Sequence, residues 1–242
     1  MNELVVFTPA YNCEKKIETT IYSVLGQTYK NWKMFIVDDA STDKTSDFIK
    51  DFIDKLKIED KVFLVNNKKN LGKIKNLLNL VEKIDKNSVM LHLDAGDFLI
   101  DLGLFDILND HYSRFDPAVL WTKHRWSFSN INISGPINAD ISLYEQPWKT
   151  SHLKTYRLKE FMGLNKENFK DENGEYFKVA QDQAIFLPMM ERARLNNKVL
   201  AFYDKVTYHY DINMDDPELF KSDRSYKQKK SAEWIRARGY IE

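Results

Sequence analysis

Three short stretches of this chain carry side chains suited to holding a polar ligand, and each stands directly behind an apolar run. They are Pro9-Ala10-Tyr11-Asn12, Asp38-Asp39, and Asp94 with Asp97. Carboxylates accept hydrogen bonds from ligand N–H and O–H groups, and an aromatic ring beside them offers a flat apolar face. Each residue also has a plainer use. Asp38-Asp39 can cap the helix that follows, and Tyr11 taken alone suits a core. What favours a ligand is that all three stretches occupy the same place relative to their strands.

Those strands follow from the hydrophobic pattern. Leu4 to Thr8 is a continuous apolar run ending at Pro9, as expected of a strand buried on both faces. Ile17, Ile21, Val24 and Leu25 recur at helical spacing, and Met34 to Val37 is a second buried strand. Ala40-Ser41-Thr42-Asp43 supplies turn and cap residues before the stripe Phe48, Ile49, Phe52, Ile53, Leu56. Val62 to Val65 is a third strand, with turn residues from Asn66 to Gly72. Ile74, Leu77, Leu78, Val81 and Ile84 mark a helix, and Val89 to Leu93 a fourth strand. A β-α-β-α-β-α-β series with crossovers of this length predicts a parallel sheet, and ligands of such sheets bind beyond the carboxyl ends of the strands. From about residue 101 the regular alternation stops. Ala118–Trp121, Val199–Tyr203 and Val206–Tyr210 read as strands, Phe186–Arg194 as a helix, and 217–242 as a helical, basic tail.

Bulk properties set limits. The 36 basic and 36 acidic residues cancel, so no bulk attraction to nucleic acid or anionic membrane is expected. Cys13 is the only cysteine, so no internal disulfide can form and a reducing compartment is expected. MNELVVFTPAYN has no basic leader, and no apolar run approaches the roughly 20 residues of a membrane span. The expectation is a cytoplasmic chain, with peripheral membrane contact left open.

The stretch FTPAYNCEKKIETTIYSVLGQTYKNWKMFIVDDASTDKT, residues 7–45, resembles the opening of family 2 glycosyltransferases: a strand ending in Pro, then Tyr-Asn, a helix closing on Ser-Val-Leu-Gly-Gln-Thr, and a strand closing on Asp-Asp-Ala-Ser-Thr-Asp. The likeness is strong over 1–100 and traceable to about 210. It implies the α/β GT-A fold: a Rossmann-like, mostly parallel sheet flanked by helices, joined to a smaller mixed half. It further implies a nucleotide-sugar-binding half (1–100), an acceptor-binding and catalytic-base half (101–216), and the tail (217–242). In this resemblance Pro9 and Tyr11, with Asn12, line the base pocket. Asp39 accepts the uracil N–H in a charge-assisted bond, Asp38 supports its loop, and Asn70-Leu71-Gly72 packs near the nucleoside. His92-Leu93-Asp94-Ala95-Gly96-Asp97 stands where the family carries its metal motif. Gly96 replaces the usual metal-binding aspartate, so Asp97 is the expected ligand of Mn²⁺ or Mg²⁺, and Asp94 is expected to reach the ribose or a metal-bound water. The alternative is that Lys, Arg or His side chains of the second half neutralise the diphosphate.

Within the resemblance, Gln181-Asp182-Gln183 matches the motif whose aspartate is the general base of an inverting transfer, although Asp182 could instead cap the helix behind it. His209 stands where some relatives place a histidine near diphosphate or metal, and a structural role at a strand end suits it equally. His152 and Arg157 are candidates for donor phosphate or acceptor. Trp121, His124, Arg125 and Trp126 mark an acceptor region or core. In the tail, Tyr226 and Trp234 among Lys227, Lys229, Lys230 and Arg236 would suit an anionic lipid carrier, a membrane surface or a nucleic-acid acceptor, or form a solvated face. The implied partners are a nucleotide-sugar donor, a UDP-sugar first, and a saccharide or lipid-linked acceptor. Two rival readings are a nucleotidyltransferase, against which the loop Pro-Ala-Tyr-Asn-Cys lacks the glycine-rich signature, and a silent nucleotide-binding module, which Gly96 favours and Asp39 and Asp182 oppose.

Overall fold

Leu4, Val5, Val6 and Phe7 are all fully buried. Successive side chains of a strand point to opposite faces, and here Leu4 and Val6 enter one hydrophobic core while Val5 and Phe7 enter another. This strand is therefore the middle of a three-layer arrangement. The structure, a computed structural model, describes residues 1–211 and 222–242. In chain order the first half comprises β1 (Leu4–Ala10), α1 (Ile17–Leu25), β2 (Trp32–Asp38), α2 (Thr45–Leu56), β3 (Val62–Asn66), α3 (Lys73–Val81) and β4 (Val89–His92). β1 pairs in parallel with β2 and β4, and β2 with β3. The expected parallel sheet is present, although Ile84 lies beyond the end of α3.

The chain then continues through β5 (Phe98–Leu99), α4 (Leu104–Phe115), β6 (Val119–Trp126), β7 (Lys154–Arg157), α5 (Leu158–Met162), a 3₁₀ turn (Lys166–Phe169), α6 (Gln181–Leu195), β8 (Leu200–Tyr210) and α7 (Ser222–Arg238). The regular alternation does not stop at residue 101. α4 buries Leu104, Phe105, Leu108 and Tyr112 at helical spacing. The sheet runs β3-β2-β1-β4-β7-β6-β8-β5, with β7 antiparallel to both β4 and β6, and β8 parallel to β6 but antiparallel to β5. The two strands expected at 199–203 and 206–210 are one, β8, carrying register shifts against β6 around Lys123. An irregularity of this kind bends a strand without ending it. α6 begins at Gln181, five residues before the expected start, because Gln181, Asp182 and Gln183 form its first turn.

The basic tail is helical and its second half is docked. Ile235 is fully buried in the second core, beside Trp234 and Tyr240. Arg236 donates to the carbonyls of Tyr144 and Gln146 at 2.8 and 2.9 Å, and Arg238 to that of Lys170 at 2.7 Å. The expected solvated face describes exposed residues such as Asp223 and Lys229, while Ile235 is core. Residues 212–216 of the proposed acceptor half and 217–221 of the tail lie outside the described residues. Among the described residues, no helix is long and apolar enough to cross a membrane.

Candidate active site

The loops after β1, β2 and β3 are tied into one wall by short polar side chains. Asn12, held at φ 50°, accepts the Thr42 N–H on Oδ1 at 2.8 Å, and its own N–H donates to Ser41 Oγ at 2.9 Å. Asp38 accepts the Ser41 N–H, which fixes the turn that carries Asp39. Asp39 in turn gathers the loop before α3. Its Oδ1 accepts from the Leu71 N–H and from Asn67 Nδ2, both at 2.8 Å, and its Oδ2 accepts from the Gly72 N–H at 2.8 Å. Burial raises the Asp39 carboxyl pKa, but these bonds outweigh burial and leave it below the ordinary value. Gly72 sits at φ 82°, in the region that favours glycine, and its α-carbon faces the Gln181 side chain at the start of α6.

Beyond Gly72, α3 opens with Lys73, whose Nζ donates to Asp94 at 2.8 Å and to Asp182 at 3.2 Å. Asp182 lies in the first turn of α6, where the helix dipole favours a negative charge. Its other oxygen accepts from Lys154 Nζ at 2.7 Å. Lys154 is 1% exposed, with its ammonium over the Phe186 ring. Burial opposes the Asp182 charge, yet Lys154 and Lys73 override that and hold the carboxyl well below the usual range. Burial also disfavours the Lys73 charge, but Asp182 and Asp94 outweigh it and keep Lys73 an ammonium.

Asp94, Asp97 and His152 each bring a ligand atom within 4.8 Å of the others. Asp97 accepts from Tyr208 Oη at 2.5 Å and from the Asp211 N–H at 2.8 Å. Burial first, then the Asp94 charge, pushes its carboxyl up to about 8, so the buried Asp97 and the partly exposed Asp94 stand in mutual repulsion. The His152 ring stacks between Tyr208 and Tyr210, and burial, with Lys154 beside it, drives its pKa well below the ordinary value. A neutral imidazole and two carboxylates form a nitrogen–oxygen donor set that suits Mn²⁺ or Mg²⁺, and a divalent cation would relieve the repulsion. His209, expected as a ligand with Asp97, does not join this group. Side chains alternate along β8, so Tyr208 faces Asp97 while the His209 ring stacks on Phe98 at 4.3 Å and faces Arg125 and Ser127. His152 stands in its place.

A cavity of about 570 Å³ joins these groups. Pro9, Tyr11, Asp39, Asn70, Gly72, Lys73, Asp94 and Asp182 line it, together with Lys178 and with Gln228 from α7. Side chains from both halves of the chain thus converge on one cleft beyond the carboxyl ends of β1, β2 and β4. Asn12, Asp38 and Asp97 do not line it: Asp38 and Asp97 are buried, and Asn12 is exposed in the loop after β1. Arg157 is elsewhere, paired with Asp116 and over the Tyr112 ring, and Trp121 is core. The residues that sequence reasoning missed are Lys73, Lys154, Tyr208 and Gln228. Lys73 had a usable signal, since it directly follows the Asn70-Leu71-Gly72 turn. Lys154 had none, because its strand is four residues long and shows no alternation.

Residues 5–159 match the family model described as glycosyl transferase family 2. Poly(ribitol-phosphate) beta-N-acetylglucosaminyltransferase TarP of Staphylococcus aureus (strain N315) is 26% identical over 231 residues, covering 90% of this chain and 64% of the relative. UDP-Glc:alpha-D-GlcNAc-diphosphoundecaprenol beta-1,3-glucosyltransferase WfaP of Escherichia coli is 37% identical over 100 residues, covering 40% of this chain and 37% of that protein. The crystal structure of S. aureus TarS 1-349 in complex with UDP superposes with a TM-score of 0.60 at 21% identity, covering 88% of this chain and 61% of that one. Each match spans less than two thirds of the known protein's own length. The structural likeness assigns the fold, GT-A.

Proposed function

Because the chain belongs to glycosyl transferase family 2, we propose that it moves a sugar from a UDP-sugar to a hydroxyl of a saccharide or lipid-linked saccharide, with inversion at the anomeric carbon. One observation carries the reading: Asp182, some 140 residues beyond Asp39 in the chain, lines the same cleft as Tyr11, Asp39, Gly72 and Asp94. Tyr11, half exposed at 51%, and Pro9 offer apolar faces to a base. Asp39 is ionised and lines the cleft, although Leu71, Gly72 and Asn67 already donate to it within the protein and Asn76 stands beside it. A carboxylate in that place suits the uracil N–H as a charge-assisted partner. The TarS structure holds UDP, and WfaP is a UDP-Glc-dependent enzyme by name, both in agreement with this donor class.

The reaction is a single displacement. The acceptor oxygen bonds to the anomeric carbon as the bond from that carbon to the diphosphate breaks, and the acceptor proton passes to Asp182. Lys154 and Lys73 grip both of its oxygens and fix the direction of the free lone pairs. They also make Asp182 a weak base. A weak base suffices, because the hydroxyl becomes acidic only as its oxygen bonds to a carbon of oxocarbenium character. Asp94, Asp97 and His152 would hold Mn²⁺ or Mg²⁺, whose charge would stabilise the departing diphosphate.

Asp182→Asn is expected to lower transfer by about 10²- to 10⁴-fold, the range of a lost general base, while calorimetry still detects UDP. Loss of transfer and UDP binding together would remove the base assignment. Thermal shift against a panel of nucleotide sugars, with and without Mn²⁺, tests the donor class and the metal in one experiment.

A further inference from the structure

The donor cleft does not end at Asp182. A second cavity of about 350 Å³ shares Lys178 and Val179 with it, and a third of about 410 Å³ shares Asp171, Phe177, Lys230 and Ser231 with the second. Together they form a groove between the 171–179 segment and one face of α7. The helix contributes Tyr226, Lys227, Lys230, Ser231, Trp234 and Ala237, residues spaced to share one side of a helix. At 1.5 Å per residue, Tyr226 to Ala237 spans roughly 16 Å. Both added cavities are of ligand size.

We infer that this groove is the track for an acceptor saccharide chain, so that the protein prefers an oligosaccharide or polymer over a single sugar. The inference rests on the transferase reading. Its first support is adjacency: Lys178 and Val179, a few residues before Asp182, line both the donor cleft and the second cavity, so a chain whose terminal hydroxyl meets Asp182 lies beside the groove. Its second is wall chemistry. Tyr176, Tyr226 and Trp234 bring ring surface to the groove for sugar C–H groups; a cation lies over one face of each, Lys75, Lys230 and Arg238 in turn, and Tyr226 is 61% exposed. Lys230, Ser231, Asp171 and Glu175 stand between the rings as partners for hydroxyls. Charge favours a neutral saccharide over a nucleic-acid strand as the occupant, because acidic side chains outnumber Lys178, Lys227 and Lys230 along the groove. Asp171, Glu172, Glu175 and Glu233 would meet its phosphates, while Lys227 already pairs with Asp223 and Lys230 with Glu233.

The test offers the full chain UDP-glucose, UDP-N-acetylglucosamine and UDP-galactose with tagged acceptors from mono- to hexasaccharide, in glucose, galactose and N-acetylglucosamine series. kcat/KM should rise with acceptor length. Tyr226→Ala removes an exposed ring, and Ser231→Trp fills the groove. Each should lower kcat/KM on the longest acceptor about tenfold, the equivalent of about 1.4 kcal/mol of stacking, toward the value for the shortest. Melting temperatures and UDP affinity of both variants report on the fold and the donor cleft. Equal kcat/KM at every length, or a length preference that survives both variants, would overturn the track. Donor hydrolysis without transfer to any saccharide would also overturn it while leaving the donor-site reading standing. Failure to bind or turn over any nucleotide sugar would sink the transferase reading, and the track with it.

Discussion

Asp39 shows how one side chain can serve structure and ligand together. It satisfies the backbone N–H groups of Leu71 and Gly72 and the Asn67 amide, so the loop that closes the cleft is shaped by the carboxylate expected to meet the base. Asp39→Ala leaves those donors without their acceptor and removes the ligand's own partner. We expect UDP affinity to fall by about 10- to 100-fold, as for the loss of a charged hydrogen bond of about 1.5–3 kcal/mol. Unchanged affinity by calorimetry would take Asp39 out of the pocket. This residue was legible in the sequence only through the joint pattern of polar stretches behind three strands and the family resemblance, since an Asp-Asp pair alone reads as a helix cap. Lys154 was not legible. A lysine reads as surface, and its burial here depends on Asp182, 28 residues away, and on the Phe186 ring. Long-range compensation of a buried charge leaves no local pattern. His209 misled for a related reason: strand alternation decides which of two neighbouring side chains faces the site, and only the β5–β8 register sets that.

At the scale of elements, two helices do more for the site than the sheet alone could. α6 delivers Asp182 on its first turn, and α7 closes the far side of the cleft with Gln228. α7 is anchored near its end by Ile235, which is fully buried, and by the Arg236 bonds to the 144–146 carbonyls. Ile235→Ala is expected to cost about 2–5 kcal/mol. Hydrogen exchange should show the loss most strongly over 222–238, with protection of β1 and β4 changing least. A uniform increase across the chain would mean that α7 is no separable wall of the site. The first half was legible because each of its strands and helices carries its own apolar period. The second half combines two short strands, β5 and β7, with an antiparallel return, a long β8 irregular in register and a helix with Pro188 inside, and long loops separate them. α4 is the exception. Its stripe was readable, yet it lies beyond the point where the alternation was taken to end.

For the whole molecule, the 134–150 segment is held from two helices, and this makes stability depend on pH. Glu191 of α6 accepts the Leu143 N–H at 2.8 Å and pairs with Arg194, while Arg236 of α7 takes the neighbouring carbonyls. Burial raises the Glu191 pKa, but the bonds from Arg194 and Leu143 outweigh it and leave it below the ordinary glutamate value. Asp39 and Asp182 are depressed as well, for the reasons given above. A carboxyl whose folded pKa lies below its unfolded value binds protons more readily when unfolded. Its stabilisation is complete above the unfolded value of about 4 and drains away as pH falls through the folded one. Asp97, shifted upward to about 8, works in the opposite sense: its contribution grows as pH falls from its folded value toward the unfolded value of about 4 and is level below that, so it does not produce the acid limb. The melting temperature should therefore hold near pH 6 and drop on acidification below about pH 4, by about 2–4 °C for each kcal/mol lost in a domain of this size. Glu191→Gln keeps the shape but cannot titrate, so its melting temperature should start lower than the parent's and fall less over the same acid range. Parallel curves for parent and variant would show that the α6 grip on the 134–150 segment has no part in acid stability, and that the acid limb belongs to the carboxylates lining the cleft.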